Sequence, residues 1–263
     1  MLASTRQDRI KHIIFDEKKV SVTALAELLD VSEETIRRDL RVLEEEGILI
    51  RKYGGAVLAD RVTRQTSNRE LREVFAESKE LIANTALPLV KNGDCLFIDS
   101  STTNLYLCRK LIETNLNLTV ITNAVAIMSL VAEAPSMHLI GIGGNFDQVS
   151  QSFCGPNAEA SLSTYYADKA FLSCRSLSLT EGASDSDASV AHIKSLAIAR
   201  SQTAFLTVDH SKLGSISLVH VCDLTDIAAV ITDREPSGDW TRWCADHAVK
   251  LYSPERPATD DEA

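Results

Sequence analysis

From residue 79 onward, short apolar runs alternate with stretches of helical periodicity, and this alternation constrains the fold more than any other feature. Strands are predicted at residues 95–99, 118–121, 137–142, 169–172, 204–208, 228–232 and 250–252. Helices are predicted at residues 79–90, 104–112 and 124–133. Strands and helices that alternate in this way form a largely parallel sheet covered on both faces. The sequence therefore predicts an α/β domain in this region.

The first 58 residues show a different pattern, with three short helices in succession. Residues 4–16 place isoleucines at helical spacing, and residues 22–29 place Leu25, Leu28 and Leu29 on one face. After a break, Ser32 is placed to cap a third helix. Gly47 is expected to end it.

The third helix has an apolar face and a basic face. Ile36, Leu40 and Leu43 are separated by four and three residues, so they share the side that must be buried. Three arginines fall on the opposite side, namely Arg37, Arg38 and Arg41. A solvated surface is the usual place for exposed arginines. However, a short helix, a tight turn and a second helix with outward arginines form the layout of a helix-turn-helix, whose second helix enters the major groove.

A hairpin is predicted directly after this helix, with strands at residues 48–52 and 56–58 around Tyr53-Gly54-Gly55. Arg51 and Lys52 lie near its tip. An ordinary surface hairpin is the alternative. Basic residues that follow a basic recognition helix favour a wing that contacts phosphates or the minor groove. The amino-terminal region is therefore predicted to be a small winged helix-turn-helix domain.

The chain of 263 residues carries a formal net charge of −10, which argues against a protein that coats nucleic acid indiscriminately. A local basic surface is compatible with this charge, because charges more than about 8–10 Å apart are largely screened. The six cysteines form no C-x-x-C pair, and the histidines are dispersed. We therefore expect reduced cysteines, no metal and no cofactor.

Domain boundaries follow from composition. Residues 59–78 are polar, mixed in charge and weakly periodic, which is typical of a linker. The predicted parts are a DNA-binding domain at 1–58, a linker at 59–78, an α/β domain at 79–253 and an acidic tail at 254–263. No apolar run approaches the roughly 20 residues that cross a bilayer, and no signal-peptide layout is present, so we expect a cytoplasmic protein without a membrane partner.

Polar residues follow several of the predicted strands, where parallel α/β sheets bind their ligands. Ser100–Thr103 come directly after the strand that ends at Asp99. Hydroxyl groups and free backbone N–H groups at a helix start suit a phosphate, although helix capping alone would explain the same residues. Other residues near strand ends or loops are Thr122, Asn123, Gly143, Gly144, Lys194 and Lys212.

The segment VSEETIRRDLRVLEEEGILIRKYGGAV resembles the winged helix-turn-helix of the DeoR family of bacterial transcriptional regulators. The hallmark of that family is T-I-R-R-D-L followed by a Gly-Gly-Ala wing, and Thr35–Leu40 and Gly54–Ala56 match it without a gap. With this resemblance, the predicted DNA-binding residues are Ser32, Thr35, Arg37, Arg38, Arg41, Arg51 and Lys52.

The resemblance continues through the α/β region. The sensor domain of DeoR regulators is similar to ribose-5-phosphate isomerase and carries, in order, D-S-G-T-T, T-N, G-G, V-K and D-x-S-K. The resemblance implies a sugar-phosphate site with the effector-binding residues Asp99, Ser100, Ser101, Thr102, Thr103, Thr122, Asn123, Gly143, Gly144, Lys194 and Lys212. The sequence departs from the pattern in places: Ser101 replaces a glycine, Ser189 and Val190 replace two glutamates, and Leu172–Ser178 lacks the glycines usual after its strand.

The leading interpretation is a DNA-binding repressor of a carbohydrate-catabolism operon that a phosphorylated sugar releases from its operator. The alternative is an isomerase-like enzyme that carries a DNA-binding module, for which Asp185 and Asp187 remain as acids near the site. A third interpretation is an architectural DNA-binding protein with an inert second domain. No catalytic residue is predicted. A homo-oligomer, a dimer or larger, is expected, because helix-turn-helix proteins commonly read paired half-sites.

Overall fold

The computed structural model describes residues 2–45, 48–59, 67–72 and 74–254. It divides the chain into two compact units, Met1–Arg64 and Gln65–Ala263. Residues 67–72 and 74–78, which the sequence placed in a linker, therefore belong to the second unit. Gly47, the remainder of the linker at 60–66 and the tail from residue 255 lie outside the described residues.

The first unit contains, in its described residues, three helices and three short strands. The helices are α1 (Ala3–Glu17), α2 (Val22–Leu29) and α3 (Glu33–Glu45), and the strands are β1 (Lys19–Ser21), β2 (Leu49–Lys52) and β3 (Gly55–Leu58). The strands form an antiparallel sheet in the order β1-β3-β2. The sequence did not predict β1, because three residues between two helices carry no periodic signal.

The apolar faces of the three helices meet in the core of this unit. Ile10, Ile36 and Leu43 are completely buried. Leu28, however, is 59% exposed, so its predicted place on the buried face of α2 is wrong. At about 100° per residue, Leu28 lies about 60° around the helix from Leu25, at the edge of that face.

Glycines shape the hairpin for two separate reasons. Gly54 has a φ of +76°, a left-handed conformation that a side chain rarely adopts, and it closes the two-residue turn. At Gly55, a Cβ atom would lie 2.1 Å from the carbonyl oxygen of Val20, so only glycine lets β3 approach β1. Gly54 therefore shapes the turn, and Gly55 lets the hairpin pair with β1.

The second unit contains seven α-helices within its described residues, namely α4 (Asn68–Leu71), α5 (Ala76–Ala86), α6 (Thr102–Ile112), α7 (Val125–Ala132), α8 (Pro156–Leu162), α9 (Ala188–Ala199) and α10 (Gly238–Asp246). Its strands are β4 (Cys95–Ile98), β5 (Leu118–Thr122), β6 (Met137–Gly141), β7 (Asn145–Asp147), β8 (Ser152–Cys154), β9 (Ala167–Leu172), β10 (Ser176–Ser178), β11 (Gly182–Asp185), β12 (Ser201–Thr207), β13 (Val219–Cys222), β14 (Ala229–Ile231) and β15 (Lys250–Tyr252).

Seven of the described strands form a fully parallel sheet in the order β6-β5-β4-β9-β12-β14-β15. The predicted parallel α/β architecture is therefore confirmed. The chain builds outward from β4 to β6 and then returns to place β9 on the other side of β4. Ligands of doubly wound sheets bind at the carboxyl ends of the strands where the order reverses, and here this point lies between β4 and β9.

Apolar side chains leave the central strands on both faces, as strands covered by helices require. Phe97 and Leu172 belong to one buried cluster, whereas Ile98 and Phe171 belong to the cluster on the opposite face. Phe171 also stacks on Phe205, with ring centroids 5.0 Å apart.

Two smaller β structures lie outside the main sheet. Strands β7 and β8 form a hairpin, and β10, β11 and β13 form an antiparallel sheet. The sequence did not predict them, because strands of three or four residues rich in serine and glycine lack the apolar signal of the central strands. Over the described ranges, no helix has the length and apolar character that a bilayer crossing needs.

Candidate DNA-binding surface and effector pocket

The start of α3 is organised by two of the predicted DNA-binding residues. The Oγ of Ser32 accepts a hydrogen bond from the Thr35 backbone N–H at 3.3 Å and lies 2.9 Å from the Thr35 Oγ1. Glu33 and Glu34 occupy the first turn, where the helix dipole favours negative charge. The structure therefore has the helix cap that the sequence predicted at Ser32.

Arg37, Arg38 and Arg41 are all exposed, opposite the buried Ile36, Leu40 and Leu43. They differ in their partners. The Arg37 guanidinium lies 2.7 Å from the Glu33 carboxylate one turn earlier. For Arg38 and Arg41, no ion pair is found within the described part of the chain. The two arginines are therefore available to an external anion without first leaving a carboxylate of the protein.

Asp39 lies between these arginines in sequence but points inward, and the sequence reasoning did not single it out. Its side chain is buried, and both carboxylate oxygens accept hydrogen bonds from the equally buried Arg6 of α1, at 2.5 and 3.2 Å. Gln7 donates a third bond at 3.1 Å. The hydrogen bond to Asp39 holds the pKa of Arg6 above its usual value. This pair fixes the angle between α1 and the recognition helix.

The two basic residues of the wing differ in their contacts with the described residues. The backbone N–H and the Nε of Arg51 both donate to Glu44 of α3, at 2.9 and 2.6 Å, and these bonds lower the pKa of Glu44. Lys52 is exposed, and within the described residues its ammonium has no carboxylate partner. Tyr53 protrudes fully into solvent at the tip. Lys52 therefore presents the more available positive charge at the tip of the wing.

The second unit has a small pocket at the carboxyl ends of β4 and β5. The first residues of α6 and of α7 line it, together with residues that precede α5 and residues of the β7–β8 turn. The lining residues are Asn68, Arg72, Ser100, Ser101, Thr102, Leu105, Ala124, Ala126, Ile127, Ser150 and Gln151. The structure therefore brings Ser100, Ser101 and Thr102 of the predicted effector site into one pocket.

Ser101 stands where the family pattern has glycine, and its backbone explains why a side chain is tolerated. Its φ of −66° and ψ of 147° are extended values that any residue adopts. Its Oγ accepts a hydrogen bond from the Asn104 N–H at 3.1 Å and caps α6. The backbone N–H groups of Thr102 and Thr103 have no partner in the described regions and remain available to a ligand.

Asp99 organises the pocket loop from beneath, with only 1% of its surface exposed. One carboxylate oxygen accepts bonds from the Ser101 N–H and from the Asn104 amide, both at 2.9 Å. The other accepts a bond from the Ser173 N–H at 2.9 Å, at the end of β9. Asp99 therefore joins the two strands at the point where the sheet order reverses.

Lys194 lies behind this loop rather than in the pocket. Its ammonium donates to Asp185 at 2.6 Å and lies 3.6 Å from Asp99. Burial alone lowers the pKa of Lys194, but the charges of Asp185 and Asp99 outweigh burial and raise it above the usual lysine value. The lysine is therefore charged, and it neutralises two buried carboxylates.

The remaining predicted effector residues do not line the pocket. Thr103 is buried in the first turn of α6, and the Thr122 hydroxyl donates to the Ile98 carbonyl at 2.7 Å. Asn123 donates to the Phe153 carbonyl at 2.9 Å, while its buried Oδ1 has no hydrogen-bond partner among the residues described. The hydrogen bonds of Thr122 and Asn123 connect the end of β5 to β4 and to β8.

The glycine pair and Lys212 also lie outside the pocket lining. At Gly144, a Cβ atom would lie 2.9 Å from the Cys154 carbonyl oxygen, so this glycine permits close packing beside α8. Gly143 has open space around it. Lys212 is half-buried in a short turn that the Asp209 side chain caps. Their contact with an effector stays a prediction.

Asn68 and Arg72 are pocket residues that the sequence reasoning missed. They lie in a polar segment with weak periodicity, where solvent exposure is the ordinary expectation. Their residue types are suited to binding an anion, and this was the one hint in the sequence. No local pattern shows that Arg72, 28 residues before Ser100, lies beside Ser100 in the pocket.

The first unit is a small winged helix-turn-helix with outward arginines. The second is a doubly wound α/β unit with a pocket at its switch point. This combination defines a DNA-binding protein with a ligand-binding domain. Comparison with known proteins agrees. Residues 6–62 match the DeoR-like helix-turn-helix domain, and residues 74–234 match the DeoR C terminal sensor domain.

Two relatives extend these matches to whole chains. The HTH-type transcriptional regulator YulB of Bacillus subtilis is 38% identical over 89% of this chain and 90% of its own. A lactose phosphotransferase system repressor of Staphylococcus epidermidis is 30% identical over 87% of this chain and 91% of its own. The chain therefore belongs to the DeoR family of DNA-binding transcriptional regulators, and the resemblance seen in the sequence is confirmed.

Among solved structures, ribose 5-phosphate isomerase A of Methanocaldococcus jannaschii aligns with a TM-score of 0.39 and 19% identity, over 56% of this chain and 55% of that one.

Proposed function

We propose that this regulator is a repressor that leaves its operator when a phosphorylated sugar binds the pocket at the carboxyl ends of β4 and β5. The observation that carries the proposal is the convergence of Ser100, Ser101 and Thr102 on that pocket. The N–H groups of Thr102 and Thr103, at the start of α6, have no acceptor among the described residues. Such a helix start attracts a phosphate, and the hydroxyl groups can bind its oxygens.

The names of relatives support the carbohydrate class. One relative is a lactose phosphotransferase system repressor, and this name places that protein in sugar uptake. A regulator of DNA works where the DNA is, so we propose a cytoplasmic location. We further propose a dimer or larger homo-oligomer that binds paired half-sites, which light scattering of the purified chain will test.

The contacts of the acidic residues favour a sensor over an enzyme. Asp185 accepts the Lys194 ammonium at 2.6 Å, and Asp187 accepts the N–H groups of Ser189 and Val190 at the start of α9. A carboxylate base must reach the substrate proton. Both acids are engaged elsewhere, so we propose that the pocket binds a sugar phosphate without converting it.

The test uses an operator that the full-length chain itself selects from random-sequence duplexes. Its dissociation constant is measured without ligand and with ribose 5-phosphate, glucose 6-phosphate or fructose 1-phosphate, each beside the unphosphorylated sugar. We expect one phosphorylated sugar to weaken DNA binding while its parent sugar does not. Equal binding in every case indicates an architectural protein, and isomerisation of a sugar phosphate in the same samples, followed by NMR, indicates the enzyme.

A further inference from the structure

Segment 67–72 is the first described part of the second unit after the DNA-binding unit in sequence. It forms hydrogen bonds to the loops of the pocket. The Asn68 amide nitrogen donates to the carbonyl oxygens of Ser100 and Ser150, at 2.7 Å each. The Asn68 backbone N–H donates to the Val149 carbonyl at 2.9 Å. A single asparagine therefore connects this segment to the phosphate-binding loop after β4 and to the β7–β8 turn.

A buried lysine fixes the other end of the segment. Lys79 of α5 is only 3% exposed, and its ammonium donates to the backbone carbonyls of Leu71 and Arg72. A buried ammonium needs such acceptors, because an unsatisfied buried charge is strongly destabilising. The position of Arg72 relative to the pocket is therefore set by its own backbone and not only by a flexible side chain.

The pocket has an excess of positive potential. Among its described lining residues, Arg72 is the only one with a formal charge, and none is acidic. The first turns of α6 and α7 add the positive ends of two helix dipoles. No hydrogen bond or ion pair of the half-buried Arg72 guanidinium is found within the described part of the chain. Arg72 and the two helix starts each present positive charge to the pocket, so one anion bound there can contact all three.

We propose that Arg72 is a direct contact of the effector phosphate, and that segment 67–72 is the element through which occupancy of the pocket reaches the DNA-binding unit. This inference rests on the proposed function and deepens it. An anion held by Arg72 and by the start of α6 at the same time bridges this segment to the sheet. Residues 60–66 separate the segment from Ala59, the last described residue of the first unit.

Coupling follows from this arrangement. A ligand shifts an equilibrium between two states only by its different affinity for them. If the anion binds the state in which segment 67–72 is closed on the pocket, every contact that Arg72 makes with the ligand favours that state. Because Asn68 bonds to both pocket loops, it couples the position of the segment to the position of the loops.

The first test compares Arg72→Gln with Arg109→Gln in the full-length chain. Arg109 has the same charge but is exposed in the last turn of α6, at the end of that helix away from the pocket. Calorimetric titration with inorganic phosphate and with the active sugar phosphate measures affinity. We expect a loss of about tenfold or more for Arg72→Gln, typical of a charge-assisted hydrogen bond, and less than about twofold for Arg109→Gln. Arg72→Lys, which keeps the charge, is expected to fall between Arg72→Gln and the wild type.

The second test measures coupling in Asn68→Ala. We expect the ratio of operator dissociation constants with and without a saturating concentration of the sugar phosphate to fall towards one, whatever the change in affinity for the sugar phosphate. Wild-type affinity for both anions in Arg72→Gln overturns the contact, and a wild-type ratio in Asn68→Ala overturns the transmission role. Either result leaves the proposed function intact. If the wild-type chain binds no sugar phosphate, the proposed function and this inference fail together.

Discussion

At the scale of single residues, local partners distinguish side chains that the sequence treats alike. The three arginines of α3 share one face, yet Arg37 is paired with Glu33, whereas Arg38 and Arg41 have no carboxylate partner among the described residues. The ion pair of Arg37 must be exchanged for a DNA contact, so its net contribution to binding is smaller. Arg38 and Arg41 bear the larger share of the expected operator contact.

Replacing Arg38 with alanine is expected to weaken specific operator binding by about 1–3 kcal/mol if the guanidinium reads a base edge. If it contacts a phosphate instead, the salt dependence of binding falls by about one unit of slope. Fluorescence anisotropy at several salt concentrations separates the two cases. Arg242→Ala, an exposed arginine of α10, is the control, and unchanged affinity and slope in Arg38→Ala contradict the assignment.

A glutamate at position 102 is expected to keep DNA binding and abolish release. Thr102 is the first residue of α6 and lines the pocket, so a carboxylate there repels the effector phosphate but suits the helix dipole. The measurement is the operator dissociation constant with and without the active sugar phosphate. Ser129→Glu, on the exposed side of α7, is the control. Normal DNA binding together with normal release in Thr102→Glu shows that the phosphate binds elsewhere.

At the scale of elements, the recognition helix and the wing depend on polar contacts as well as on apolar packing. An ion pair between Asp39 and Arg6 connects α3 to α1, and an ion pair between Glu44 and Arg51 connects α3 to the wing. The hairpin itself was predictable from its Gly-Gly turn, and α3 from its cap and periodicity. These two polar contacts were not predictable, because each joins residues on two different elements, and no periodicity within one element reports such a contact.

Breaking the buried pair between α1 and α3 is expected to unfold the DNA-binding unit more easily. Asp39→Ala leaves the Arg6 charge buried without its partner, which costs about 3–5 kcal/mol in proteins. Thermal unfolding of the full-length chain measures the loss. Glu33→Ala, which removes a partner from an exposed pair on the same helix, is expected to change the free energy of unfolding by less than about 1 kcal/mol. Equal stability of the two variants argues against a structural role for Asp39.

The two basic wing residues are expected to respond differently to substitution. Lys52→Gln removes a charge that has no carboxylate partner among the described residues, and it is expected to lower affinity for all DNA sequences alike, with a salt slope reduced by about one. Arg51→Gln is expected to change the slope less, because Glu44 already neutralises that guanidinium. Filter binding to the operator and to unrelated duplexes measures both. Unchanged non-specific binding in Lys52→Gln contradicts a phosphate contact by the wing.

At the scale of the whole molecule, a buried charge network joins distant parts of the sensor unit. Asp99 follows β4, Asp185 ends β11 and Lys194 lies on α9, and their charges meet behind the pocket. Sequence reasoning assigned Asp99 and Lys194 to the effector. Their burial and mutual contacts give them a structural role, and an effector contact by either one stays a prediction.

Lys194→Met is expected to destabilise the sensor unit by about 3–5 kcal/mol, because it leaves two buried carboxylates without a cation. A double-mutant cycle with Asp185→Asn is expected to show coupling, with the double variant more stable than the sum of the two losses predicts. Chemical denaturation of the full-length chain provides the free energies. Additive losses mean that the two side chains do not interact, and a variant with wild-type stability but altered release indicates a direct effector role.

The sequence alone determined the two-unit order, the parallel α/β class, the winged helix-turn-helix and the loop at Ser100–Thr103. Each depends on local periodicity, capping or turn chemistry, which adjacent residues express directly. Only the tertiary structure decided that Asn68 and Arg72 belong to the pocket and that Lys194 neutralises buried acids instead of lining it. These facts depend on groups far apart in sequence, such as Asp99 and Ser173, which are 74 residues apart. Contacts across that separation arise from the order of strands in the sheet, and no local pattern records that order.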